Sequence, residues 1–311
     1  MTGANPLLGH EKPRLRDFVR LAALGLGGAL WAGANAWADA AGPTADKSQY
    51  TLLDPVPGDL LRDMDTDRPN FTNTPHTIDA GHLQIETGLV DATHFHDRTR
   101  GGDSSTDALT LGHVNVRLGV LDDLEINAAI DSYGRLTSTD HVSGQSTRRD
   151  GFGDAVIGGK LNIWGKDGGD NAWATALAIQ PQIKLPTAHG ALGNGHVEEA
   201  IGAPFLVNLV DGFHLGLETA ASRERNRANT GYVAGWQNSA SVDRLILGNL
   251  DIYLEDALHA TNETHAQPTQ SIDIGFTYPV RDNLVIDSGA FVGVNRATPQ
   301  LEWTSGVSIR F

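Results

Sequence analysis

The sequence predicts an all-β protein: a transmembrane, antiparallel, up-and-down β-barrel of about 12 strands, with short periplasmic turns and longer extracellular loops. Three observations lead to this prediction. Apolar and polar residues alternate with a period of two from residue 76 to the C-terminus, which is the signal of half-buried strands. The connectors between these segments alternate between long and short, as they do in outer-membrane barrels. Ionisable residues are confined almost entirely to one face of the segments, and the lipid-facing side of a barrel must stay uncharged.

The composition excludes several classes of protein. The 311 residues include 36 glycines and no cysteine, and the formal net charge is −15 at pH 7. Without cysteine there is no disulfide, no thiolate catalysis and no cysteine-based metal centre. The acidic balance argues against nucleic acid as a partner, because that binding needs a basic face. No apolar run reaches the roughly 18 residues of a membrane-spanning helix, which leaves a membrane β-barrel open.

The N-terminal region has the three parts of a secretory signal peptide. Residues 1–20 carry four basic residues, an apolar and uncharged stretch follows over 21–34, and Ala36-Trp37-Ala38 has the form of a cleavage site. We therefore predict that residues 1–38 are a cleaved signal peptide and that the protein is exported to the outer membrane of a Gram-negative bacterium. Residues 39–75 are predicted to be a periplasmic leader and candidate plug segment, and residues 76–311 the barrel.

Twelve segments alternate in this way, and each is predicted to be one strand. They run from the first, with Leu83, Ile85 and Leu89 on one face, to the last, with Val307, Ile309 and Phe311 on one face. The segments span residues 81–91, 108–118, 124–131, 154–164, 173–185, 197–210, 213–221, 232–242, 245–256, 271–278, 284–294 and 303–311. The short connectors carry turn residues: Leu121-Asp122-Asp123, Asp211-Gly212, Asp243-Arg244 and Arg281-Asp282-Asn283. The longest connectors are predicted at 92–107 and 132–153.

Charged residues separate by face along these segments. On the faces predicted to be outward, the only acids or bases are Asp91, Glu199 and Asp256, each at a segment end. The opposite faces carry ten acids and four bases when Glu198 and Arg310 are included. The residues predicted to line the lumen are Glu86, Arg117, Glu125, Asp131, Asp154, Lys160, Lys184, Glu218, Asp251, Glu255, Asp273 and Asp287. This pattern predicts a narrow channel with a net-acidic wall that favours cations and neutral solutes over anions.

Two shorter features also suggest roles. Asp65, Asp67 and Arg68 precede Pro69, and we expect them to dock into the periplasmic mouth as a plug or latch, with a plain turn as the alternative. The terminal Phe311 resembles the C-terminal signal that the barrel-assembly machinery reads.

Several motifs, in order along residues 63–311, resemble one family. They are Asp65-Thr66-Asp67-Arg68-Pro69, Gly81-His82-Leu83-Gln84-Ile85-Glu86-Thr87-Gly88, Leu121-Asp122-Asp123-Leu124-Glu125-Ile126, Gly151-Phe152-Gly153-Asp154, Lys184-Leu185-Pro186-Thr187 and Ser305-Gly306-Val307-Ser308-Ile309-Arg310-Phe311. The family is that of the outer-membrane transporters grouped as "MetA-pathway of phenol degradation". Asn70 departs from the pattern, since aspartate is usual there. The resemblance implies passage of small, aromatic or hydrophobic solutes across the outer membrane.

Other functions have weaker support in the sequence. Its histidines form loop pairs without fixed spacing (His94 and His96, His189 and His196, His259 and His265), so we assign no metal site and no cofactor. No G-x-S-x-G motif occurs, and neither His113 nor His214 can be paired with a serine, so an outer-membrane hydrolase is a remote alternative and we predict no enzyme. A structural or ligand-binding barrel with a closed lumen remains the main alternative. The expected partners are outer-membrane lipid, the barrel-assembly machinery and a small solute.

Overall fold

In a computed structural model, residues 46–99, 102–166, 171–190 and 192–311 are described. The predicted signal peptide at 1–38 lies outside the described residues, as does the start of the predicted leader up to residue 45. Apart from two short 3₁₀ turns, at Gly58–Leu60 and Val210–Gly212, the regular structure of the described residues is β-strand. None of the helices among them is long and apolar enough to cross a membrane.

The strands form a single sheet. Their bounds are β1 Leu83–Thr99, β2 Gly102–Leu121, β3 Leu124–Asp140, β4 Gln145–Gly151, β5 Ala155–Trp164, β6 Thr175–Leu185, β7 Glu198–Asn208, β8 Phe213–Arg225, β9 Tyr232–Ile246, β10 Leu250–Thr261, β11 Thr269–Arg281, β12 Leu284–Gly293 and β13 Leu301–Arg310.

The sheet closes on itself as an antiparallel barrel. Apart from β4 and β5, strands that are neighbours in the chain pair with each other, and β1 pairs with β13 to complete the ring. The short β4 pairs with the far half of β3 while β5 pairs with its near half, so these two segments share one position and the ring has twelve. The closed, twelve-stranded, up-and-down barrel predicted from the alternation is thereby confirmed.

The two ends of the barrel differ in their connectors. We call the end that holds Leu83 and Phe311 the turn end; its connectors include 122–123, 247–249 and 282–283. We call the opposite end the loop end; from β6 onward its connectors, such as 186–197 and 294–300, are longer than those beside them at the turn end. The predicted contrast between short turns and longer loops therefore holds over most of the ring.

The two predicted long loops, 92–107 and 132–153, are the main departures; residues 132–140 continue β3 and residues 145–151 form β4. Residues 92–99 continue β1 and residues 102–107 belong to β2, so that only residues 100 and 101 separate the two strands. In this extension His94 lies opposite Asp107, with Nδ1 2.7 Å from Oδ1, and Phe95 lies opposite Thr106. Cross-strand polar pairs of this kind can stabilise two paired strands that have no apolar face. A search for alternating apolar residues therefore does not find this extension of β1 and β2.

The predicted turn at Asp243-Arg244 is also displaced. Both residues lie within β9, and the turn is at 247–249, where Leu247 and Gly248 have positive φ. Asp243 is held by His214 of β8, whose Nδ1 is 2.7 Å from its Oδ2, and the Arg244 guanidinium lies 4.7 Å from the centre of the Phe213 ring. These contacts keep Asp243 and Arg244 in the β-ladder. Gly248 adopts the left-handed conformation of the turn, which glycine does without steric cost.

The faces of the barrel are polar inside and apolar outside. Leu254 and Ile274 are 57% and 59% exposed, whereas Arg117 and Lys160 are at most 1% exposed. This is the reverse of a soluble protein, and it is the arrangement expected where hydrocarbon replaces water outside the ring. Asp91 was predicted to face outward, but it lies opposite the buried Thr304 and accepts a hydrogen bond from the Thr304 hydroxyl. The cause is a bulge in β1 between Gly88 and Val90. A bulge shifts every later residue to the other face.

Candidate functional site in the barrel interior

The described part of the predicted leader runs inside the ring. Residues 46–82, which we call the leader segment, are irregular and precede β1. Between residues 62 and 78 the segment hydrogen-bonds to side chains of nine strands distributed around the wall. Those strands are β1, β2, β3, β5, β8, β9, β10, β12 and β13. The segment continues past residue 75, the predicted end of the leader, because β1 begins only at Leu83.

Four buried glutamates of the wall hold the backbone of this segment. Each carboxylate accepts a hydrogen bond from one or more leader N–H groups: Glu86 from Asp67 (3.3 Å), Glu255 from Phe71 (2.8 Å) and Thr72 (2.7 Å), Glu218 from Asn73 (2.7 Å), and Glu125 from Ile78 (2.8 Å). An irregular segment cannot satisfy its own amides, and a buried unpaired N–H is costly. The wall acids therefore act as hydrogen-bond acceptors for the leader segment.

Asp67 lies at the centre of a buried charge network. Arg117, which is fully buried, places Nη1 2.8 Å from Glu86 and Nε 2.8 Å from Glu125, and it lies 3.3 Å from Asp67. The Lys160 ammonium is 2.7 Å from the same Asp67 carboxylate. Two wall cations thus lie among three acids, one of which the leader segment supplies, and removing either cation would leave buried carboxylates without a counter-charge.

Arg68 fits a notch in the wall. Its Nη2 lies 3.1 Å from Asp287 and donates to the Thr304 hydroxyl at 2.7 Å. Gly88 and Gly306, which face each other across β1 and β13, form the floor of the notch: a Cβ would lie 2.7 Å from the guanidinium at Gly88 and 2.6 Å from it at Gly306. Only glycine leaves room for the side chain there.

Asp65, the third predicted latch residue, meets the wall only through its carbonyl, which accepts from Gln84 Nε2 of β1 at 2.8 Å, while its side chain bonds within the leader segment. Its carboxylate is 2.8 Å from His76 Nδ1 and also accepts a hydrogen bond from the Thr74 hydroxyl. Burial acts to raise the pKa of Asp65, but the hydrogen bonds and the charge of His76, helped by Thr74, lower it to about 2. This contact pins the segment into a compact turn.

The remaining predicted lining residues lie away from the leader backbone. Asp131 pairs with His113 (2.7 Å), and Lys184 lies between Asp154 (3.3 Å) and Glu198 (2.8 Å). Asp251 lines the cavity described below. Asp273 is fully buried opposite Glu255, and neither of its carboxylate oxygens has a hydrogen-bond partner among the described residues.

Two cavities flank the leader segment. The larger, at the turn end, has a volume of about 740 Å³ and is lined by the segment together with residues such as His214, Asp243 and Asp251. The smaller, of about 290 Å³, lies towards the loop end and is lined by Phe71, Phe291 and Leu258 among others. The segment therefore divides the interior into a polar compartment and a more apolar one.

Several contacts of the leader segment were beyond sequence reasoning. Arg62 places Nη2 2.5 Å from Asp122 and so anchors the segment at the turn end. Lys47 places Nζ 2.9 Å from Asp79, which ties together two parts of the segment itself. No local sequence pattern indicates which distant residue a leader side chain will contact. The histidines tested for hydrolase chemistry pair with acids: His113 with Asp131 and His214 with Asp243. At the C-terminus, the Phe311 amide donates to Leu83 at 2.8 Å and the ring is 65% exposed.

Comparisons with known proteins agree with this architecture. Residues 66–311 match the sequence profile of a family described as "Putative MetA-pathway of phenol degradation". The fold is similar to an outer membrane channel from Pseudomonas putida F1, with a TM-score of 0.55 and 10% identity over 79% of this chain and 100% of that one. Weaker likenesses include the transport unit of the autotransporter AIDA-I from Escherichia coli, with a TM-score of 0.49 and 10% identity over 74% of this chain and 89% of that one. No curated protein sequence matches the chain.

Proposed function

The chain belongs to the MetA-pathway of phenol degradation family, and we propose on that premise that it is an outer-membrane channel for small solutes whose lumen the leader segment occupies at rest. The observation that carries the proposal is a ring that is apolar outside and lined inside by buried ionisable groups. A polar interior is typical of outer-membrane barrels, including those that hold an aqueous path. We propose no catalytic role.

The acidic wall is proposed to favour cations and neutral solutes over anions. Glu218 and Glu255 bind leader N–H groups, and these neutral dipoles satisfy the carboxylates without cancelling their charge. The negative field of the lumen therefore persists with the leader segment in place, and field lines in a low-dielectric wall are focused on the path.

The solute is proposed to be small and aromatic or hydrophobic. The smaller cavity supports this, because the Phe71 and Phe291 rings meet edge to face with centres 5.2 Å apart. Aromatic walls bind flat apolar molecules with favourable ring geometry. Phe71 belongs to the leader segment, so a solute in this cavity would touch both the segment and the wall.

Recordings from the untagged protein in planar bilayers test the channel and its selectivity. Under a potassium chloride gradient we expect a reversal potential of the sign that marks cation preference, and in liposomes faster swelling with neutral solutes than with anions of similar size. Anion preference would contradict the acidic lumen.

A barrel with a closed lumen is the second candidate, and the many wall contacts of the leader segment favour it. The deletion of residues 39–78, which removes every leader residue that the wall glutamates hold, separates the two. Conductance should rise in the deleted protein if the segment closes a channel. If neither protein conducts, the closed, ligand-binding or structural barrel is correct.

A further inference from the structure

Two histidines and one aspartate meet on three adjacent strands at the loop end, far from the leader segment. His96 lies in β1, Asp103 in β2, and His141 directly after β3. His96 Nε2 is 2.6 Å from Asp103 Oδ1, and the two imidazole rings have centres 5.6 Å apart. Potential ligand atoms from all three residues lie within 4.8 Å of one another.

The backbone ladder produces this arrangement. Asp103 pairs with Arg98, and Ser105, two residues further along β2, pairs with His96. The His141 amide donates to the Asp103 carbonyl at 2.8 Å, which continues the β2–β3 ladder by one residue. Residues two apart on a strand point to the same face, so the three side chains converge because of strand register and not through flexible loops. A ladder fixes such positions more firmly than a loop does.

The chemistry of the three side chains selects a class of ligand. Two imidazoles and one carboxylate are the donor set of borderline divalent transition metals such as Zn²⁺, and a fourth position can be filled by water. Hard cations such as Mg²⁺ and Ca²⁺ prefer oxygen ligands throughout. We propose that His96, Asp103 and His141 form a surface site for a divalent transition metal, one per chain.

The surroundings of the three residues fit this role. His96 is 27% exposed, the Asp103 side chain is 39% exposed, and His141 is exposed, so an ion can enter from solvent and the side chains can adjust. The Arg98 guanidinium lies 3.8 Å from Oδ2 of Asp103, which leaves Oδ1 facing the imidazoles. The Ser105 hydroxyl, 3.0 Å from His141 Nε2, lies close enough to take part in a second layer of hydrogen bonds. Bound metal would tie the first hairpin to the turn that follows β3.

Titration calorimetry of Zn²⁺ into the folded full chain, made without a polyhistidine tag, tests the site. We expect saturable binding with one ion per chain, weakened at least about tenfold by His96→Ala and by His141→Ala, with no saturable binding of Mg²⁺. His113→Ala is the matched control, since His113 and Asp131 form a similar cross-strand pair with a 2.7 Å contact and lie outside the proposed site. This variant should bind Zn²⁺ as the wild type does.

Two outcomes would overturn the proposal. One is the absence of saturable Zn²⁺ binding to the wild type, and the other is binding that His96→Ala and His141→Ala leave unchanged. The heat-dependent shift in gel mobility of each variant reports whether the barrel has folded. Should an alanine variant fail that check, Asp103→Asn, which keeps the size of the side chain and removes its charge, must weaken Zn²⁺ binding for the proposal to stand.

Discussion

At the scale of single residues, Arg68 shows how the wall and the leader segment were matched. A buried guanidinium needs a counter-charge and space for a planar group. Asp287 supplies the charge, with a carboxylate only 1% exposed, and the Gly88–Gly306 pair supplies the space. Arg68, which the sequence offers as a latch residue, therefore has a wall partner that no local pattern could name.

Arg68→Ala is expected to loosen the leader segment. The substitution leaves Asp287 buried without its cation, which costs about 3 kcal/mol at a buried pair. The rate at which proteinase K cuts within the leader segment should therefore rise more than about tenfold. Gly88→Ala should have the same effect with the charge intact, because its Cβ would meet Arg68 Nη1 at 2.7 Å. Gly58→Ala is the control, since a Cβ there meets nothing within 4 Å. Equal cleavage in all four proteins would exclude Arg68 as an anchor.

At the scale of the element, the leader segment is held through both its backbone and its side chains. The wall glutamates accept from main-chain N–H groups at positions 67, 71, 72, 73 and 78. At positions 67, 72 and 73 the side chain also bonds to the wall, so the contact is made by the backbone alone only at positions 71 and 78. The Asp65–His76 contact is different, because it depends on an ionised carboxylate within the segment itself.

That contact predicts how docking of the leader segment depends on pH. The pKa of Asp65 falls from an ordinary 3.8 to about 2 in the folded protein, so its stabilising contribution is complete above about pH 4 and is lost as the pH falls through about 2. The side chain is 44% exposed, which limits that contribution to about 1 kcal/mol. Asp65→Asn should therefore speed proteolysis of the leader segment several-fold at pH 7.

The difference between wild type and Asp65→Asn should shrink below pH 4 and vanish near pH 2, which hydrogen exchange of the leader amides can follow into acid. Asp59→Asn, at an exposed leader position, is the control and should behave as the wild type at every pH. A gap that stayed constant down to pH 2 would contradict the assigned role of the Asp65 carboxylate.

The elements also show what the sequence can and cannot predict. Strands such as β10 and β11 follow from alternation, because lipid on one side and polar groups on the other impose a period of two. The extension of β1 and β2 past residue 92 was missed, since both of its faces are polar. The bulge that turns Asp91 inward, and the path of the leader segment, depend on contacts between residues far apart in the chain, and no local periodicity records those.

At the scale of the whole molecule, the central question is whether the leader segment moves. The wall and the segment together bury a large set of charges, and such networks break in discrete steps more readily than they deform. A channel that opens by releasing the segment must break the contacts at Arg68, Asp67 and the four glutamates. A channel that conducts past a fixed segment needs none of this.

A reversible lock separates these two mechanisms. The chain has no cysteine, so Thr72→Cys with Ser239→Cys would introduce its only two thiols, at side chains whose hydroxyl oxygens are 2.7 Å apart across the leader segment and β9. Neighbouring side chains of this kind can form a disulfide. We expect the oxidised protein to conduct several-fold less than its reduced form if the segment must leave the lumen, with dithiothreitol restoring the current.

Thr106→Cys with Ser138→Cys is the control: it joins β2 to β3 over a hydroxyl separation of 3.3 Å and should leave conductance unchanged in both redox states. Equal currents from the locked and unlocked protein would show that solutes pass beside a leader segment that stays in place.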